Sequence, residues 1–296
     1  MKKLLPVAAV FILLCVFAFS ANSLDTMAPL GDSLETLEFA AETPVSYLGF
    51  DRNEYPGDDR LKELHKTFAY AGYWLNDPPG SKTNTWVGKR GKVEAAGFGF
   101  LVLFNGRLYR KLGARPEELG QSDAVAAVAA ARREGFPRRT IIFLDQEEGG
   151  RLLSEQKTYL FAWVDEVSRA GFRAGVYCSG IAFREKGGDS IITAEDIRKN
   201  AGQRDITYWV TNDACPPSPG CVASRPPPLP KGSGVGFADI WQFAQSPKRK
   251  DVAGTCRGYD KTGNCYSSAA AAGQKLHVDL DTANSADPSQ GRSRKR

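Results

Sequence analysis

The stretch TIIFLDQEEGG, residues 140–150, decides how the chain folds. Residues 141–144 are apolar, and the run ends abruptly in Asp145, Gln146, Glu147 and Glu148 before a Gly149-Gly150 pair. A short apolar run bounded by polar residues and glycine reads as a buried strand, and a strand apolar on both faces belongs in a parallel sheet covered by helices. Acidic side chains leaving such a strand stand where α/β folds place their sites. If extended geometry persists to Glu147, Asp145 and Glu147 share one face with Cα atoms roughly 6.6 Å apart. Two carboxylates that close resist joint ionisation, so one holds a proton at higher pH than usual. A protonated acid beside an ionised carboxylate is the pair that glycoside hydrolysis requires. Acidic residues at strand ends also serve as caps and turn formers, so the pair gains weight only from its surroundings.

Working outward, seven further runs read as strands: 45–51, 69–75, 97–105, 173–179, 206–211, 237–244 and 276–280. Helical patterns lie between several of them. Ser122 or Asp123 can cap an alanine-rich stretch that Gly135 ends, and Ser154 can cap the next, where Leu160, Trp163, Val167 and Ala170 recur on one face. Thr193 with Asp196 resembles a capping box. Eight strands alternating with helices predict a single (β/α)8 TIM-type barrel. Two segments break the rhythm, the proline-rich 211–236 and the glycine-rich 246–273, and both follow predicted strands. They are expected to be loops on the face where barrel sites sit, replacing helices.

Lys2 and Lys3, an apolar run over residues 4–19 and small residues at 20, 21 and 23 have the layout of a secretory signal peptide. The expected organisation is a signal peptide at 1–23, a polar leader at 24–44, the barrel at 45–284 and a disordered basic tail at 285–296. Export to the periplasm, the cell surface or the medium follows, with no stable membrane insertion after cleavage. An oxidising compartment favours disulfides across the two short loops, Cys215 with Cys221 and Cys256 with Cys265. Zinc is disfavoured, because neither pair has ligand spacing and His65 and His277 are the only histidines. Cys178 is left over and reads as a small buried side chain. The formal charge of +5 comes from the signal and the tail, which leaves a neutral body with no footprint for nucleic acid.

Other strand ends add to the acidic pair. The first strand ends in Asp51, and the last runs into Asp279. In a barrel the first and last strands are neighbours and the fourth lies across the mouth, so Asp51, Asp145, Glu147 and Asp279 are expected to converge. Tyr177, Trp241 and Gln242 are expected to line the same cleft and bind substrate, with no metal or organic cofactor. Arg52 follows Asp51 directly and offers the cluster a positive charge.

The chain resembles a glycoside-hydrolase-like TIM-barrel domain of bacteria, a relative of glycoside hydrolase family 25, the lysozyme-type muramidases. The resemblance spans residues 47–284. It rests on Gly49-Phe50-Asp51, on Gly120 to Ala124, on Ile142 to Glu147, on Ala170 to Tyr177, on Trp241-Gln242-Phe243 and on Val278-Asp279-Leu280. It implies that Glu147 matches the muramidase acid, that Asp145 and Asp51 match the other carboxylates of that site, and that Asp279 matches the aspartate of the last strand. Two features depart from the muramidase pattern: Arg52-Asn53-Glu54-Tyr55-Pro56 after the first strand, and the segment 75–92. The expected function is hydrolysis of β-linked amino-sugar polymers such as peptidoglycan. The alternative is a non-catalytic barrel that binds cell-wall or other glycans.

Overall fold

The structure is a computed structural model that describes residues 45–213, 226–245 and 278–293. The expected signal peptide and both cysteine pairs lie outside the described residues. The chain runs β1 (Tyr47–Asp51), α1 (Asp58–His65), β2 (Tyr70–Trp74), α2 (Arg90–Ala95), β3 (Gly99–Asn105), α3 (Pro116–Arg133), β4 (Ile141–Asp145), α4 (Ser154–Arg169) and β5 (Arg173–Ser179). A small hairpin, β6 (Phe183–Arg184) and β7 (Ser190–Ile191), leads into α5 (Thr193–Asn200). The chain continues through β8 (Ile206–Thr211), β9 (Ile240–Ala244) and β10 (Asp279–Ala283). No helix among the described residues is long and apolar enough to cross a membrane.

Eight strands close a barrel in the order β1-β10-β9-β8-β5-β4-β3-β2. Seven of them run parallel, while β10 is antiparallel to both β1 and β9. The barrel is thus TIM-like but not the all-parallel (β/α)8 form expected. The physical reason is connectivity: an antiparallel neighbour needs no crossover helix, whereas a parallel one does. Between β8 and β9 the described connection holds only a short 3₁₀ turn, Pro230–Ser233.

Asp123 does not cap α3, which starts earlier with Pro116 in its first turn. Instead its carboxylate takes a two-pronged bond from Arg107, at 2.6 and 2.7 Å, and another from the Tyr159 hydroxyl at 2.8 Å. The Gly120–Asp123 signal therefore belongs to helix packing: a side chain at Gly120 would strike the Tyr159 carbonyl of α4.

Side-chain alternation sorts the strands into an outer and an inner face. Outward, Phe50 packs against Phe68 and Phe98. Inward, glycines make room for neighbouring side chains. A Cβ on Gly49 would lie 2.1 Å from the Tyr70 ring, and one on Gly72 would lie 2.6 Å from Cβ of Asp51. Gly49→Ala is expected to overpack the interior and lower the urea midpoint, by about 3 kcal/mol of stability or somewhat more. An unchanged midpoint would mean that Tyr70 can rotate away.

The tail departs from its expected disorder. Through residue 293 it is bound to the barrel end opposite the acidic cluster. Asp287 Oδ1 accepts from Phe100 N at 2.8 Å, and Arg90 donates to Gly291 O at 2.8 Å. β3 and β4 pair with each other only from Val102 and Ile142 onward. Below that point Ser289 is inserted: its N donates to Phe100 O, its O accepts from Ile141 N and its Oγ accepts from Val102 N, each at 2.8 Å.

Candidate active site

The strand exits surround one open cleft of about 480 Å³, within the size range of small-ligand sites. It is lined by Asp51 from β1, Trp74 from β2, Asp145 and Glu147 from the β4 exit, Tyr177 from β5, Trp209 from β8, Gln242 from β9 and Asp279 from β10. The structure therefore brings together all four predicted carboxylates, Tyr177 and Gln242. Trp241 stands apart. It is buried, its indole N–H donates to Asn212 O at 2.9 Å, and its ring packs against Gly232. Consecutive strand residues face opposite sides, so Gln242 and Trp241 cannot both point inward. Trp209 and Trp74 are the tryptophans that reach the cleft, and inward parity on β8 and β2 was the signal that could have found them.

Segment 75–92, one of the two departures from the muramidase pattern, contributes a wall of the cleft through Pro79, Gly80 and Ser81 and does not fill it. It is pinned by Asn84, which donates to Trp74 O at 2.8 Å, and by the Trp86 indole, which donates to Arg52 O and Asn53 O. Arg52 pairs with Glu54 at 3.3 Å on the rim.

Gln242 organises the acids. Its amide N donates to Asp51 Oδ2 at 2.8 Å and more weakly to Asp279 Oδ2 at 3.5 Å. Its Oε1 accepts from the Tyr177 hydroxyl at 2.8 Å and from Gln245 at 3.0 Å. The Tyr177 ring packs on Trp209 with centroids 4.4 Å apart. Beneath the cleft floor lies a carboxyl absent from the sequence expectations, Asp281, which is fully buried and accepts from the Trp209 indole N–H at 3.1 Å. β10 runs antiparallel, so its first residue, Asp279, stands at the mouth and Asp281 lies deeper.

Burial governs the charges. It raises Asp51 to about 6, against the hydrogen bonds from Gln242 and Asp281, which pull it down. It raises Asp145 well above the usual carboxylate range, helped by the charges of Glu147 and Asp51. Desolvation also raises Glu147, which is exposed at the rim. Asp281 is raised well above its ordinary value by burial and then by Asp51. Cys178, buried on the face of β5 opposite Tyr177, has its thiol pushed up to about 12 by desolvation, which suits a packing role.

Raised acids stabilise the fold below their unfolded values and withdraw that stability as pH rises through the folded ones. Asp145 Oδ1 is buried without a hydrogen-bond partner. Asp145→Asn is therefore expected to raise the thermal midpoint at pH 7, by a few degrees, with the gain vanishing near pH 4. A lower midpoint at pH 7 would contradict the burial cost assigned to this carboxyl.

With this geometry in place, residues 72–216 match the family described as Rv2525c-like, glycoside hydrolase-like domain. That stretch is thus similar to a glycoside hydrolase-like domain. The matched stretch includes Asp145, Glu147 and Tyr177. No curated protein matches the chain. Among solved structures, an uncharacterized B. stearothermophilus protein is 16% identical, with 80% of this chain and 95% of that one covered and a TM-score of 0.49. The Mycobacterium tuberculosis Tat-secreted protein Rv2525c, in complex with L-tartrate, is 14% identical over 81% of this chain and 95% of its own, with a TM-score of 0.47. The Clostridium perfringens spore cortex lytic enzyme SleM is 14% identical over 82% of this chain and 69% of its own, with a TM-score of 0.48.

Proposed function

We propose that the glycoside hydrolase-like domain is an active, exported glycosidase that cleaves β-linked amino-sugar polymers, with peptidoglycan as the substrate. The observation that carries this reading is the Asp145–Glu147 pair: a buried carboxyl next to one exposed in an open cleft, both with raised affinity for protons, with Asp51 beside them. Glu147 is the general acid. Its raised affinity for protons lets it protonate the leaving oxygen, and its exposure lets it reach a polymer. With the proton of the pair on Glu147, Asp145 is the carboxylate that stabilises or attacks the oxocarbenium-like carbon, and the proton leaves with the departing oxygen. Asp51 and Asp279, tied together by Gln242, orient the sugar, and Tyr177 and Gln242 offer hydrogen-bonding groups to its hydroxyls. Trp74 and Trp209 give the cleft apolar surface for a sugar ring.

The test is direct. Purified protein incubated with peptidoglycan is expected to release new reducing ends. Saturable binding without new ends would replace the hydrolase with the glycan-binding barrel, and neither result would remove glycans altogether.

A further inference from the structure

We infer that Asp281 is a positioning residue: a neutral acid under the cleft floor that donates its proton to Asp51 and so fixes the carboxylate that Gln242 holds from the other side. This role rests on the reading of the cleft as a glycosidase site.

The geometry supports it in three ways. Asp281 is fully buried, and among the described residues the groups that face it carry no positive charge: Asp51 from β1, Tyr70 from β2, Trp209 from β8, Gln242 from β9 and Asp279 on its own strand. Its two oxygens have different surroundings. Oδ1 accepts from the Trp209 indole, whereas no ordinary donor reaches Oδ2. Asp51 and Asp281 are both buried and occupy same-face, diagonal positions on the paired strands β1 and β10, and two carboxyls at such positions can bond only if one of them carries a proton. The register explains the fit. Asp281 lies opposite Gly49, which has no side chain, and Tyr70 fills the space that Gly49 leaves. Asp51 is thus held from two directions, by the Gln242 amide above and by Asp281 below. The direction of the pKa shifts agrees: the shared bond pulls Asp51 down and pushes Asp281 up.

An asparagine at this position reproduces a protonated aspartate. Its carbonyl accepts from Trp209 and its amide donates to Asp51. Leucine keeps the volume but supplies neither. The experiment uses the full chain with carbon-13 labelled aspartate, titrated by carboxyl NMR, with Asp281→Asn and Asp51→Asn assigning the two signals. Asp281 is expected to give the chemical shift of a neutral acid at pH 7. Asp51 should titrate at nearly the same pH in wild type and Asp281→Asn, and about one pH unit higher in Asp281→Leu. On peptidoglycan, Asp281→Leu should lose about tenfold or more in kcat/KM with a shifted pH profile, and Asp281→Asn should restore most of it. An ionised Asp281 at pH 7, or an asparagine variant as impaired as the leucine one, overturns the inference. If Asp281→Leu does not fold, the wild-type shift and the asparagine variant still decide. If wild type releases no reducing ends, the hydrolase reading fails, while the carboxyl titration still settles where the proton is.

Discussion

Glu147→Gln is expected to lower the release of reducing ends from peptidoglycan by about a thousandfold or more, the scale of losing a positioned general acid. The amide keeps the size of the side chain but has no proton to give to a departing oxygen. Desolvation raises Glu147, so by the same linkage as at Asp145 the substitution should leave the thermal midpoint at pH 7 unchanged or slightly higher. Glu148 provides the contrast one residue along. Its Oε2 accepts from Tyr109 N at 2.7 Å and from Gln156 at 2.8 Å, which ties the β3 and β4 exits together. Glu148→Gln should therefore cost stability and only modest activity. The pH profile of the wild type adds a second reading. Glu147 is raised by desolvation, so the alkaline limb should fall at a pH above the ordinary glutamate range. Undiminished activity in Glu147→Gln would remove Glu147 from the chemistry and leave Asp145 or Asp51 to supply the acid.

Removing residues 285–296 is expected to be the most damaging change to stability. Ser289 and Asp287 together satisfy Phe100 N, Val102 N and Ile141 N, and they also occupy Phe100 O. Each buried amide left without a partner costs about 1–3 kcal/mol, and a whole domain has only about 5–15 kcal/mol to lose. The shortened chain should melt tens of degrees lower or fail to fold, as read by thermal unfolding monitored through circular dichroism. Asp287→Ala should produce a smaller loss, confined to its own bonds to Phe100, Gly291 and Arg292. A truncated protein with an unshifted midpoint would mean that water replaces the tail without penalty.

Much of this was legible in the sequence, and the remainder failed for identifiable reasons. Seven strands fall within the stretches read from apolar runs, because strands buried on both faces leave an unbroken pattern. The eighth was expected at 276–280 and is found at Asp279–Ala283. Its sequence, DLDTA, alternates charge with apolar residues and hides an inward face made of acids. Strand direction was also invisible, since the long preceding segment permits either sense. That one missing fact concealed Asp281. In a parallel strand it would have stood nearer the mouth than Asp279, whereas in β10 it lies beneath. Trp241 differs for another reason: the pleat sends it to the opposite face from its neighbour Gln242, where it is buried against Asn212 O and Gly232. The charge of the tail predicts disorder, while the residues that bind it to the barrel, Asp287 and Ser289, are common in loops of every kind.

The insertion of Ser289 has a consequence for how the protein is made. A chain synthesised from its N-terminus has β1 to β9 in hand before either seal exists. β10 must arrive to join β1 to β9, and residues 287–291 must arrive after that to close the seam between β3 and β4. Both closures join segments far apart in the chain, which is the slow kind of folding step. The barrel therefore stays open between β9 and β1, and unsealed at the lower end of β3 and β4, until residues 279–291 have emerged and docked.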